Sequence, residues 1–277
     1  MAGRMETPMT TTTDWAELWR ELASRDIQAS DEGAAQMVER WRGVARRLDS
    51  GTQDPDPLLD HVLGRLTPEM TVLDVGAGIG RWTLPMARRV RAVTAVEPLQ
   101  GMRHVLVERA AAHGIANLEV VETPWLVAKV PPHDAVVAAH ATYTTTDLLG
   151  FVYKMEDCAR RSCYLALRVP AHDGIIGELS ARINRRWHDS PNFIVGYNLL
   201  LSAGVHPNVL MEPTAVRRWT DSTLEAAVVR AKRHLHLDDD RHDAAIREVL
   251  SRRLVVTEGV YRWPDGMRSA LIWWDKA

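Results

Sequence analysis

One stretch limits the folds open to this chain more than any other: Thr71-Val72-Leu73-Asp74-Val75-Gly76-Ala77-Gly78-Ile79-Gly80. Its first half is β-branched and apolar, which predicts a buried strand. It then breaks into glycines at three alternating positions. Residues 81–89 are predicted to follow as a helix, with Pro85 tolerated only in its first turn. Strand, glycine turn and helix are the parts from which an open α/β sheet builds a nucleotide site. Glycine lets the backbone turn sharply and approach a ligand, because no Cβ intrudes. The next predicted strand, 92–96, runs straight into Glu97. That places a carboxylate about twenty residues beyond the loop, where it can accept both hydroxyls of a ribose.

A dinucleotide site would need GxGxxG, with a pyrophosphate held at the helix N-terminus. Here the pattern is GxGxG, and Arg81 stands where the third glycine of that fingerprint would be. Asp74 lies just before the loop. A carboxylate there repels phosphate and suits an ammonium group, so the inferred ligand is a nucleoside carrying an amino acid. From Val72 to Gly80, together with Glu97, the chain resembles the first two motifs of class I S-adenosylmethionine-dependent methyltransferases.

The resemblance covers roughly 58–211 and the last strand, 269–274. It implies an α/β fold with a Rossmann-like, seven-stranded mixed sheet, helices on both faces and an antiparallel last strand. It implies S-adenosylmethionine as methyl donor and S-adenosylhomocysteine as product. The expected cofactor-binding residues are Asp74, Gly76, Ala77, Gly78 and Gly80 in the loop, with Glu97 and Pro98 after the second strand. After the third strand come Glu122, Thr123 and Trp125. In the family an acidic residue there bonds the adenine amino group, a part open to Glu122, although the usual Gly-Asp pair is missing. Trp125 is expected to stack near the adenine.

The fourth strand, 134–139, delivers His140-Ala141-Thr142-Tyr143 at its carboxyl end, where open parallel sheets hold their ligands. His140 is therefore both a pocket residue and the first candidate general base, because an unperturbed imidazole titrates near neutrality. Tyr143 is the second catalytic candidate, against the sulfonium or the acceptor. Arg168 and His172, after the fifth strand, are candidates to reach an acceptor anion. Arg182, Arg185 and Arg186 read as an exposed basic helix face. His234, His236 and Asp238 to Asp240 read as a helix junction, and no metal is expected.

Residues 1–13 are polar, Thr-rich and expected to be disordered. Residues 14–57 hold two amphipathic helices, which many small-molecule methyltransferases of the family use as a lid over the active site; packing against the sheet edge is the alternative. Residues 58–277 form the cofactor-binding domain, with a helical insertion at about 213–253. A net charge of −2 in 277 residues argues against a general nucleic-acid surface. No apolar run is long enough to span a membrane, and no secretory leader is visible. The two cysteines, Cys158 and Cys163, have neither metal-type nor disulfide-framework spacing. Taken with the resemblance, which implies methyl transfer to an oxygen, nitrogen or sulfur, these features point to a cytoplasmic enzyme, a monomer or homodimer, acting on a small molecule. A tRNA or protein methyltransferase and a non-catalytic S-adenosylmethionine-binding protein are the alternatives.

Overall fold

The computed structural model describes residues 13–29, 34–50, 55–170, 174–185, 190–213, 219–235, 237–264 and 268–276. The tail expected to be disordered, like His172, Arg186 and His236, lies outside them apart from Thr13.

The strand before the glycine loop sits inside the sheet. β1 (Thr71–Val75) pairs in parallel with β2 (Ala92–Val96) on one side and with β4 (His133–Ala139) on the other. β3 (Leu118–Val121) extends the sheet beyond β2, and β5 (Ala159–Val169) extends it beyond β4. β6 (Asn208–Met211) and the last strand, β10 (Arg268–Asp275), complete the order β3-β2-β1-β4-β5-β10-β6. β10 is antiparallel to both its neighbours. The chain leaves β1 towards β2 and later returns to place β4 on β1's other side. From the carboxyl ends of β1 and β4 the chain therefore leaves to opposite faces of the sheet, into the helices Thr83–Ala87 and Leu148–Cys158, and that is where open α/β sheets hold ligands.

The inner strands β1, β2, β4, β5 and β10 bury both faces, with period two. Val72, Ala135, Val137, Tyr164, Ala166 and Leu271 form one core with α3 (Pro57–Arg65) and α4 (Thr83–Ala87). Leu73, Val75, Val136, Ala138, Leu165, Leu167 and Ile272 form the other, with α1 (Trp15–Ala29), α6 (Leu148–Cys158) and α8 (Phe193–Ser202). Trp19 on α1 is fully buried and donates its indole N–H to the Thr145 carbonyl at 2.9 Å. Asp14 caps α1 by accepting the Glu17 N–H, as the spacing of those two acids predicts. α2 (Ala34–Asp49) lies instead on α5 (Gln100–Ala112), so the two N-terminal helices sit on different neighbours.

A smaller core collects α7 (Ile175–Asn184), α9 (Leu224–Leu235) and α10 (Asp243–Arg253). A three-stranded antiparallel sheet belongs to it: β7 (Thr220–Asp221), β8 (Val255–Thr257) and β9 (Val260–Arg262), in the order β7-β9-β8. This unit is wider than the helical insertion expected at 213–253, because α7 joins it from before β6.

Two boundaries differ from the sequence reading. The sequence alone predicts a helix over 147–161 and a fifth strand from Ser162, but α6 stops at Cys158 and β5 starts at Ala159. Ala159 and the two arginines after it suit a helix, but pairing of Ala159 with His133 draws them into the sheet, so tertiary context overrides propensity. The helix expected over 81–89 shrinks to the five residues of α4, because Arg81 and Trp82 are held by Asp56 in the turn before it.

Candidate functional site

Gly76, Gly78 and Gly80 all have positive φ, which L side chains rarely adopt. At Gly76 the loop also passes the chain leaving β4 so closely that a Cβ would collide with that of Ala141. At Gly78 a Cβ would point into open space. The N–H groups of Gly76 and Ala77 both donate to the Val96 carbonyl, at 2.8 and 3.2 Å, fixing the loop to the end of β2.

Glu97 is buried beside this loop. One carboxylate oxygen accepts the Gly78 N–H at 2.8 Å, and the other accepts the Leu99 N–H at 2.9 Å. Each oxygen keeps a second lone pair for a further donor. Burial raises the Glu97 pKa, opposed by the two N–H groups and by Arg103. The Arg103 guanidinium also bonds the Pro98 carbonyl at 2.6 Å and Glu122 at 3.1 Å, joining the exits of β2 and β3.

Asp74, also buried, accepts the Thr83 hydroxyl at 2.6 Å. Burial pushes its pKa up to about 7; the Thr83 bond opposes this and the Glu97 charge adds to it. An ammonium group arriving beside this carboxylate would relieve the burial penalty. The buried Asp74, the bonded Glu97 and the open side of Gly78 therefore fit S-adenosylmethionine through its amino-acid and ribose ends.

The residues after β3 separate. Glu122 and Thr123 are exposed, with Glu122 in its pair with Arg103. Trp125 is buried and gives its indole N–H to the Phe151 carbonyl at 3.1 Å, with the Lys154 ammonium over its ring. The adenine-stacking role expected of Trp125 is therefore replaced by packing against α6. The apolar pressure on so large a ring outweighs its place after a strand end.

Across the crevice, His140 is half-buried with a φ of 58°. Its Nδ1 lies 2.7 Å from the Tyr143 hydroxyl, which accepts the Arg168 N–H at 2.8 Å. The Arg168 guanidinium stacks on the Tyr143 ring at 3.9 Å. The Nε2 of His140 makes a long 3.4 Å contact with the Ser269 hydroxyl. Burial, then the charges of Arg81 and Arg168, lowers the His140 pKa to about 4. His140 is thus neutral at pH 7 and a weaker base than the near-neutral imidazole expected.

Three further groups complete this side. Asp56 caps α3 at Leu59, pairs with Arg81 at 2.7 Å and accepts the Trp82 indole N–H at 3.0 Å. Glu212, the residue after β6, is buried and accepts the Ser269 N–H at 2.6 Å. Burial raises its pKa, and Asp56 adds to the shift. The sequence reading passed over Asp56, Glu212 and Ser269, although two carried signals. Asp56-Pro57 is a helix cap followed by proline at the first helical position. Glu212-Pro213 repeats the strand-end Glu-Pro of Glu97-Pro98.

Other expected groups lie elsewhere. Arg182 pairs with Glu248 on the surface, and His234 stacks on Trp219 in the smaller core. Asp239 and Asp240 pair with Arg241 and Lys232.

The methyltransferase-domain family matches residues 72–161, from β1 into the start of β5. A Methanosarcina acetivorans protein that bears the name ribosomal RNA small subunit methyltransferase A is 34% identical over 119 residues, 39% of this chain and 44% of its own length. This chain spans 25% to 44% of the length of the Methanosphaera and Methanosarcina relatives it matches. A Haemophilus influenzae protein of uncharacterised function is 23% identical over 210 residues, 74% of this chain and 75% of its own. A provisionally assigned methyltransferase of Bacillus halodurans C-125 shares the fold, with a TM-score of 0.55 and 15% identity over 79% of this chain and 96% of its own.

Proposed function

We propose that this chain, whose residues 72–161 match the methyltransferase-domain family, is an S-adenosylmethionine-dependent enzyme that moves a methyl group from that donor to an oxygen, nitrogen or sulfur of a small molecule. The observation that carries the reading is the pair of buried carboxylates, Asp74 and Glu97, flanking one glycine loop. The bound donor supplies a methyl group already activated by its sulfonium. The protein's task is then to orient the two partners and exclude water. Asp74 faces the ammonium, Glu97 holds the ribose and Gly78 leaves room for the ligand. His140 and Tyr143 line the side from which an acceptor approaches.

The small-molecule part of the reading is supported by how the arginines are used. In the smaller unit Arg182, Arg230, Arg247, Arg252 and Arg253 all face acidic partners. Phosphate backbones are held by basic groups with charge to spare. The likeness to ribosomal RNA methyltransferases favours a second reading, in which the acceptor is RNA. Among the described residues no helix is long and apolar enough to cross a membrane.

Calorimetric titration with S-adenosylmethionine, S-adenosylhomocysteine and NAD tests the cofactor. Binding of the first two alone is expected, and binding of NAD alone would overturn the reading. Binding to a ribosomal RNA fragment that weakens steeply with salt would move the acceptor to RNA.

A further inference from the structure

We propose that Glu212 is the general base of this site, taking the proton from the acceptor's nucleophile, a part that His140 does not play. The inference rests on the methyltransferase reading above.

Glu212 follows β6 at the carboxyl edge of the sheet, and Ser269 opens β10 at the same edge, opposite Arg168 of β5. Ser269 touches both candidates: its N–H donates to Glu212 at 2.6 Å, and its hydroxyl contacts His140 Nε2 at 3.4 Å. The carboxylate and the imidazole thus share one serine on the side of the crevice away from Glu97. The charged groups acting on Glu212 are Asp56, at the cap of α3, and Arg81, in the glycine loop. Those acting on His140 are Arg81, Arg168 and Asp56.

Charge balance separates the two. The acceptor's lone pair attacks the methyl carbon, the carbon–sulfur bond breaks with its electrons going to sulfur, and the nucleophile's proton must leave. If it goes to His140, a sulfonium cation is exchanged for an imidazolium that the charges of Arg81 and Arg168 disfavour. If it goes to Glu212, the sulfonium and the carboxylate vanish together, leaving two neutral groups in a poorly solvated crevice. Isolated charges are costly there, so the second course has the lower barrier. The pKa shifts run the same way: burial raises the Glu212 carboxyl above its ordinary value, against its bond from Ser269, and the imidazole falls to about 4. A base works best when its pKa lies near the working pH.

Glu212→Gln tests this cleanly, because the amide oxygen can still accept the Ser269 N–H. Catechol, 4-hydroxybenzoate, thiophenol and tyramine are offered with labelled methyl donor to the wild type, Glu212→Gln and His140→Asn. With any probe the wild type methylates, Glu212→Gln is expected to lose about a hundredfold or more in kcat. Its donor affinity should stay within error and its melting temperature should not fall, while His140→Asn is expected to lose less in kcat than Glu212→Gln. A turnover-independent readout is infrared titration of 13C-glutamate-labelled protein. One carboxyl titrating above the ordinary range should be absent from Glu212→Gln alone. A variant that turns over within tenfold of wild type with the same pH profile, or that keeps every raised carboxyl, overturns the proposal and leaves the methyltransferase reading standing. A wild type that binds the donor and methylates none of the four probes overturns the small-molecule reading and the proposal with it.

Discussion

Asp74→Asn should make the free protein more stable and a poorer binder of S-adenosylmethionine. Burial moves the Asp74 pKa from 3.8 to about 7. At 1.36 kcal/mol per unit, the shift corresponds to at most about 4 kcal/mol against the folded anion. The sign follows from proton binding. Between about pH 4 and 7 the folded protein holds a proton that the unfolded chain has released. The favourable contribution of the protonated form is therefore complete below about pH 4 and is lost as pH rises through about 7. Asparagine keeps the oxygen that accepts the Thr83 hydroxyl and never ionises. The variant should match the wild type near pH 4 and exceed it at pH 8, by up to roughly 8 °C in melting temperature at about 2 °C per kcal/mol. Donor binding should move the opposite way, because the ammonium needs the carboxylate. Wild-type affinity should fall about tenfold per pH unit below about 7, with proton release on binding visible as a buffer-dependent calorimetric enthalpy. The asparagine variant should bind weakly and without that dependence between about pH 5.5 and 7, below the range in which the donor's own α-amino group titrates. Unchanged affinity at pH 7, or a lower melting temperature at pH 8, would refute the assignment of Asp74 to the ammonium.

Glu97→Ala should weaken S-adenosylmethionine binding by about 1–3 kcal/mol, the value of a charge-assisted hydrogen bond, as read by calorimetry on a variant that still melts cooperatively. Gly76→Ala should abolish donor binding, since alanine meets both a positive φ and Ala141; a crystal structure of the variant would show whether the loop has moved. Trp19→Ala should cost about 3–5 kcal/mol in denaturant unfolding, because the ring is fully buried where α1 packs on α8 and α6.

The donor side was legible because its chemistry is local in sequence. Asp74, the three glycines and Glu97 lie within 24 consecutive positions, and each needs only its own strand end to reach the site. The mixed sheet with its antiparallel last strand followed from the alternation of predicted elements and the resemblance, whereas the strand order did not. The acceptor side was only half legible. His140 and Tyr143 stood out as the exit of a strand, and the structure keeps them together. The low pKa of His140 did not, because it depends on burial and on Arg81 and Arg168, brought in from 59 positions before and 28 after. Trp125 misled for a related reason: a tryptophan after a strand end can face the crevice or the layer beneath, and only the position of α6 decides.

That asymmetry also limits what kinship can say about the acceptor. The family match ends at residue 161, before Arg168, Glu212 and Ser269, so the shared segment is mostly the donor half of the cleft. Likeness to a ribosomal RNA methyltransferase over such a segment is what a common donor produces, whatever the acceptor. Discrimination between acceptors has to come from groups that change contact as the nucleophile is deprotonated. On the proposal above, those groups are Arg168 on β5, Glu212 after β6 and Ser269 on β10, and the chain runs on from β5 and β6 into a second core built from α7, α9, α10 and three short strands. Exchanging that second core between two chains of this fold should therefore alter acceptor choice with donor affinity intact, whereas a change in the glycine loop should do the reverse.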